Sequence, residues 1–297
     1  FAKLTPQAQL RGDDVLSIGG QNNRYNAIYI DGAVNNDVFG LASNGTNGGQ
    51  TGVSPISLDA IEQFQVQVAP FDVKISGFAG GAISAITKSG TNNFEGSAYF
   101  LNRNQNTSGM TPPDLVSAGG RRQKLAEFNA TTIGVRAGGA IKKDKLFYFI
   151  NYERQDNETP QPFDIENYSG NVASIGTDGT VASGIEALRQ NLISRFGFNP
   201  GAYTNNLATL TSDKLIAKID WNINDNHKLA FRHSLVEARN ISPSRSSANT
   251  INFMTGAVDF KSTTNSTSLE LNSRFPDKVS NNFVLGYTSV VDNRDPF

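Results

Sequence analysis

The chain has 297 residues, 38% of them hydrophobic and 18% charged, with a formal net charge of -1 and an isoelectric point near 6.2. That balance gives no electrostatic footprint for a polyanion and excludes a nucleic-acid-binding surface; the absence of cysteine removes disulfides, thiolate metal sites and cysteine nucleophiles together. No stretch approaches the roughly 20 apolar residues of a membrane-spanning helix, while 28 glycines, 19 phenylalanines and 8 tyrosines suit many short strands joined by polar turns.

Residues 1–93 form a first unit. A short apolar strand over Ala27–Ile30 stops at Asp31 and Gly32, a strong turn signal. The segment LASNGTNGGQTGVSP is too polar to bury and reads as a loop. Ser57 is placed to cap a one-turn helix over 58–62. Beyond it Phe64, Val66 and Val68 alternate with Gln63, Gln65 and Gln67, the pattern of a half-buried strand. A small-residue strand over 82–87 closes a small α+β domain, and Gly77, Gly80 and Gly81 allow tight bends and close backbone approach.

From Phe94 the rhythm changes to aromatic-bearing segments with one apolar and one polar parity. DKLIAKIDWNIN is the clearest: Leu215, Ala217, Ile219, Trp221 and Ile223 share one face, while Lys214, Lys218, Asp220 and Asn222 share the other. Alternation of this length with charge on one face matches a transmembrane barrel strand. Seven strands are expected, at 94–103, 128–141, 145–155, 211–223, 228–239, 263–275 and 279–292. Their connections alternate between tight turns (142–144, 224–227, 276–278) and long loops (104–127, 156–210, 240–262). Short turns on one side and long loops on the other is the outer-membrane barrel arrangement, with the short turns periplasmic.

Aromatics near strand ends, among them Phe94, Tyr99, Phe100, Phe147, Tyr148 and Phe149, fit interface girdles. An extracellular β-sandwich of seven alternating strands is the competing reading. The longest loop carries its own helical stretch, GIEALRQNLISRFG, with Ile185, Leu188, Leu192, Ile193 and Phe196 at helical spacing and Gly197 as a stop. It reads as a helix packed on its own loop, or as a lid or partner surface.

The order of these pieces resembles a TonB-dependent outer-membrane receptor across its plug-to-barrel junction. IGGQNNRYNAIYIDGAVNN is similar to the plug segment that leads into a VDG turn, here Ile30, Asp31 and Gly32. SLDAIEQFQVQVAPFDVKISGFAGGAISAITKSGTNNFEGSAYF is similar to the closing plug motif and first barrel strand, falling on 60–68, on 80–88 and on 94–100. Ala69, Pro70 and Phe71 depart from the arginine-glycine-proline of many members, and with the segments NNDVFGLASNGTNGGQTGVSPIS and KDKLFYFINYERQ they look most like Oar-like receptors of Bacteroidetes.

That resemblance implies a mainly β chain, with a plug domain at 1–93 and the first seven strands, at 94–297, of a barrel of about 22 strands. Because the chain opens at Phe1 and ends within an alternating segment, a piece of a longer protein is expected. The implied activity is uptake of a large or scarce substrate by plug remodelling in the bacterial outer membrane. TonB is the implied inner-membrane partner, through a box outside these residues, with outer-membrane lipid around the wall and outer-membrane lipoproteins as further partners. A receptor-derived structural subunit without transport is the alternative.

Catalytic chemistry finds no foothold. The chain's two histidines, His227 and His233, lie six residues apart, about 20 Å along a strand at roughly 3.3 Å per residue, so no metal pair is expected, and His227 reads as a solvated turn residue. Nucleophile-elbow, zinc-protease and phosphate-loop patterns are missing; five Asn-x-Ser/Thr sequons follow from composition, and neither an enzyme nor a resident cofactor is expected. By carry-over from the family, polar plug tips that hold cargo fall near Asn22, Asn23, Arg24, Asn35, Asn36 and Asp37. Turn chemistry alone accounts for the same residues.

Overall fold

The computed structural model describes residues 5, 7–11, 15–37, 39–42, 45–68, 80–110, 116, 121–122, 124–125, 127–160, 181–247, 249–276 and 279–297. Thirteen strands and one α-helix order them. A hairpin of β1 (Ala8–Arg11) and β2 (Val15–Ile18) precedes a four-stranded sheet made of β3 (Ala27–Ile30), β4 (Ala33–Val34), β5 (Ile61–Val68) and β6 (Gly81–Thr87), in the order β4-β3-β6-β5. Strands β3 and β6 run parallel, and the other pairs are antiparallel.

The β3–β4 hairpin turns on Asp31 (φ 47°) and Gly32 (φ 76°), the two left-handed residues that a tight hairpin of matching twist requires. Ser57 departs from its expected role: a short 3-10 turn runs over Leu58–Ala60, but the Ser57 side chain makes no capping bond. Its hydroxyl is drawn instead to a carboxylate on a distant strand. Gly80 and Gly81 are needed for close approach within the small unit rather than to the wall. A Cβ at Gly80 would lie 2.5 Å from Asn26 Oδ1, and one at Gly81 would lie 2.6 Å from the Ile18 side chain. Gly77 and the segment after Val68 fall outside the described residues.

The second sheet holds seven sequential antiparallel strands: β7 (Glu95–Asn104), β8 (Asn129–Lys142), β9 (Leu146–Pro160), β10 (Leu207–Asn222), β11 (His227–Ser242), β12 (Val258–Arg274) and β13 (Ser280–Pro296). All seven lie in one sheet with β7 and β13 at its edges, so the sandwich reading fails. The connections keep the alternation, with turns at 143–145, 223–226 and 275–279 against loops at 105–128, 161–206 and 243–257. In the longest loop, α1 (Val181–Phe196) ends at Gly197, whose positive φ (64°) lets the Gly197 and Phe198 amides reach the carbonyls of Ile193 and Leu192. The helix buries Ile185 but leaves Leu188 and Phe196 exposed.

Burial in this sheet is inverted relative to a protein in water. On β10 the apolar side chains Leu215, Ile219 and Trp221 are 37%, 43% and 46% exposed, whereas Lys214 and Lys218 are 4% and 7% exposed. Strand register extends the pattern sideways. Tyr148, Ile219, Phe231, Leu269 and Leu285 form one continuous cross-strand row on the outer face, with Leu146, Trp221, Leu229, Leu271 and Phe283 the row beside it. An apolar patch spanning five strands is far beyond what a soluble monomer exposes. Toward the long loops the same face turns polar at Asp213, which accepts from Arg154 at 2.8 Å and Tyr152 at 2.5 Å. From Ile223 to Leu215 the band runs ~26 Å along the strand, or ~20 Å along the normal at a ~40° tilt, close to the apolar height of outer-membrane walls.

Two expected girdle aromatics sit elsewhere. Tyr99 and Phe149 point inward, Tyr99 to a buried carboxylate and Phe149 (1% exposed) into the core, because each falls on the inner parity of its strand. His227 opens β11 instead of standing in the turn, its Nδ1 2.9 Å from the Ser273 hydroxyl and its ring edge-on to Phe275.

The outer band sets the first prediction. Ile219→Arg should cost ~2–4 kcal/mol of folding stability in lipid, whereas Thr211→Arg, beyond the band, should cost ~0–1 kcal/mol. Urea titration of the full-length protein folded into vesicles measures both, and equal tolerance of the two would place this face out of lipid.

Candidate functional site: the seam between the small sheet and the wall

The inner, polar face of the seven-stranded sheet packs against the small sheet. The apolar core of the whole chain lies in that seam: Ile30, Ile56 and Ala60 from the small unit meet Phe149 and Ile216 from the wall. Ile216 sits on the lysine-bearing parity of β10, which is how one apolar residue reaches this core from the polar face.

Around that core are ion pairs and hydrogen bonds, most of them between residues far apart in sequence. The Ser57 hydroxyl donates to Glu153 Oε2 at 2.9 Å, Tyr99 donates to the same oxygen, and the Lys214 ammonium meets Oε1 at 2.8 Å. This cluster is dry: the Lys214 and Glu153 side chains are 4% and 8% exposed. One neighbour, Asp59, reaches Arg136 Nε at 3.0 Å, Lys88 Nζ at 3.1 Å and the Ser97 hydroxyl at 2.8 Å. Burial pushes the Asp59 carboxyl up, but the Ser97 and Lys88 hydrogen bonds and the charges of Lys88 and Arg136 outweigh it and hold the group below its ordinary value.

Further along the wall, the Lys218 ammonium donates to the Thr87 carbonyl at 3.3 Å, and Asn240 donates to the Thr51 carbonyl at 3.0 Å. Asp31 accepts from the Thr87 amide at 2.8 Å and hydroxyl at 2.6 Å, and faces Arg232 Nε across 3.5 Å. Nη1 of Arg232 has no hydrogen-bond partner among the described residues, so this last tie is the loosest. The crossing from β6 to β7 is pressed against the wall: a Cβ at Gly90 would collide with the backbone oxygens of Gly139 and Tyr148.

The six polar tips expected to hold cargo divide by role. Asn22 accepts from the Arg24 amide, Asn36 accepts from the Ile28 amide at 2.7 Å, and Asp37 accepts from the Phe39 and Ala42 amides at 3.0 and 2.5 Å. These three side chains hold their own turns. Asn23 and Asn35 are buried, and Arg24 alone of the six is largely exposed. Asn36 and Asp37 do border a cavity of about 700 Å³ between the small unit and β13, whose apolar lining includes Val34, Phe39 and Leu41. Sequence reasoning missed these apolar residues. It also named Lys214 and Lys218 as a polar face without marking charge in mid-strand as a sign of an inner partner.

No cluster of potential metal ligands occurs among the described residues. The arrangement can hold one folded unit against the inner face of a wall whose outer face suits lipid. Comparisons with known proteins agree with that geometry. A family model described as an outer membrane beta barrel domain matches residues 86–297. The TonB-dependent transporter Oar of Myxococcus xanthus is 27% identical over 243 residues, which is 78% of this chain and 20% of that protein. Among solved structures, the outer membrane transporter YddB of Escherichia coli superposes with a TM-score of 0.60 at 12% identity, covering 92% of this chain and 32% of that one. A mutant of the ferric enterobactin receptor of Pseudomonas aeruginosa also gives 0.60 at 13% identity, covering 97% of this chain and 38% of its own. The chain thus spans a fifth of that curated relative and about a third of these structures.

Two predictions test the seam. Lys214→Met leaves a buried carboxylate without its cation and should cost ~3–5 kcal/mol, most of which Glu153→Gln in the same chain should restore. Denaturant unfolding in detergent reads both, and a single variant no worse than the double would show the pair to be solvated. Asp59 adds a pH dependence of definite sign. With its folded value depressed, its stabilisation is present above the ordinary carboxylate value of 3.8 and is lost as pH falls through the folded value. Acidification should therefore lower the melting temperature of the parent, and Asp59→Asn should lower it at neutral pH while flattening the acid limb.

Proposed function

Since the chain belongs to the outer membrane beta barrel domain family and so resides in the bacterial outer membrane, we propose that it is the plug-to-barrel segment of an Oar-like TonB-dependent transporter. In this reading residues 1–93 are the plug and 94–297 the first seven strands of a barrel of about 22 strands. The carrying observation is the seam itself: a small α+β unit sits inside the curve of a lipid-facing wall, tied to it through Glu153, Asp59 and Asp31. A unit in that position closes the lumen and has to yield before anything passes.

The relatives named as transporters favour transport over a structural subunit without it. The substrate proposed is large or scarce, a peptide, glycan or chelate taken up as the plug is remodelled, with TonB as the inner-membrane partner and an outer-membrane lipoprotein as a further one. Cargo would meet Arg24 and the apolar mouth at Val34, Phe39 and Leu41 before the turn residues Asn22, Asn23, Asn35, Asn36 and Asp37. The Bacteroidetes affiliation rests on the resemblance of the loop segments alone.

In-cell crosslinking of the full-length protein, with mass spectrometry of what it captures, tests the reading. Capture of TonB that weakens when the proton gradient is collapsed is the expected result. A stable larger outer-membrane complex that never captures TonB would replace the transporter with a structural subunit.

A further inference from the structure

We propose that solute passes the small sheet on one side only, between the β3–β4 turn and the inner face of β13, through a waist made by Gly32 and Ala33 against Val284 and Gly286. The inference rests on the transport reading and adds to it the route and the residues that gate it.

The ties across the seam are unevenly placed. Those made by Ser57, Asp59, Thr87, Asp31 and Thr51 end on β7 through β11, and the shared apolar core ends on β9 and β10. On the far side the small unit meets little but small groups. Gly48 lies over Thr264 and Ser262, where an added Cβ would come within 2.6 and 3.1 Å of the two hydroxyls.

At β13 the contact narrows to four residues. A Cβ on Gly32 would stand 3.7 Å from the Val284 side chain, and one on Gly286 would stand 3.2 Å from the Ala33 Cβ. Two cavities open on either side of this contact, and both are lined by Gly32 and Val284. The one toward the long loops holds about 700 Å³ and includes Phe39 and Leu41. The one toward the short turns holds about 950 Å³ and is polar, with Gln65, Gln67, Lys228, Asn272 and Arg274. Together they form a path along the inner wall interrupted only at the waist.

Chemistry at the waist suits a gate. Gly32 has a positive φ that the hairpin turn requires, so a side chain there would be strained, and Gly286 opposite leaves room for Ala33 alone. Asp31, next to the waist, is pinned to Thr87 of β6, which gives the turn a hinge while the rest of the sheet stays bound to β7–β11. A shift of one hairpin tip then joins the two cavities without extracting the whole unit.

The test uses the full-length protein in planar bilayers with KCl conductance as the probe, and needs neither cargo nor TonB. Val284→Ala should raise the leak several-fold over the parent. Adding Ala33→Cys and Gly286→Cys, whose Cβ atoms lie close to disulfide spacing, should close that leak on oxidation and reopen it on reduction. A second tether, Asp59→Cys with Ser97→Cys, holds the opposite side and should leave the Val284→Ala leak intact. The proposal is overturned by a Val284→Ala protein as tight as the parent, or by a leak that the Asp59–Ser97 tether also closes. Because TonB capture is measured separately, the gate can fail while the transporter reading stands, and the reverse.

Discussion

A sheet that faces lipid on one side and its own polar interior on the other has every strand hydrogen-bonded along its length and every side chain committed to one of two solvents. That constraint decides most of what is seen here. Backbone groups in hydrocarbon have no water to fall back on, so strands cross only as paired neighbours in a continuous sheet. The alternation then assigns Leu215, Ile219 and Trp221 outward and Lys214 and Lys218 inward. Charges turned inward need partners in a dry place, and the small sheet carries them: the Thr87 carbonyl for Lys218, Ser57 beside Glu153, and Asp31 before Arg232.

The seam is consequently held by two kinds of force at different distances from solvent. A small apolar core around Phe149 and Ile216 supplies non-directional burial, while the Glu153–Lys214 pair fixes orientation because misalignment would strand a buried charge. Such ties resist a uniform pull yet fail one at a time, since each joins only a few atoms. Their confinement to one arc of the wall leaves the β3–β4 turn against β13 as the compliant part, where contact is between Gly32, Ala33, Val284 and Gly286.

Much of this was legible in the residues. The seven wall strands and their alternating connections followed from two-residue periodicity and tight turns, since β10 must show Lys214, Lys218 and Asp220 on one parity to exist in lipid at all. Strand ends beyond the apolar band were not legible: β9 continues to Pro160 and β12 begins at Val258, because outside the band both faces are polar and the alternation carries no contrast. Long-range pairs were equally hidden. Ser57 looked like a cap because caps are local, whereas its partner Glu153 lies 96 residues away. The polar tips at Asn22, Asn36 and Asp37 obeyed turn chemistry rather than a binding site, as the same residues would in any loop.

The account stands on the two-solvent assignment of the wall, and spin labels placed singly along residues 214–221 of β10 in the full-length protein, in vesicles, read it directly. Accessibility to lipid-soluble oxygen should peak at Leu215, Ala217, Ile219 and Trp221 and fall at Lys214, Ile216, Lys218 and Asp220, a period of two. Oxygen accessibility without that period, or with its maxima at the lysines, would contradict the inside-out wall and with it the seam, the plug reading and the gate.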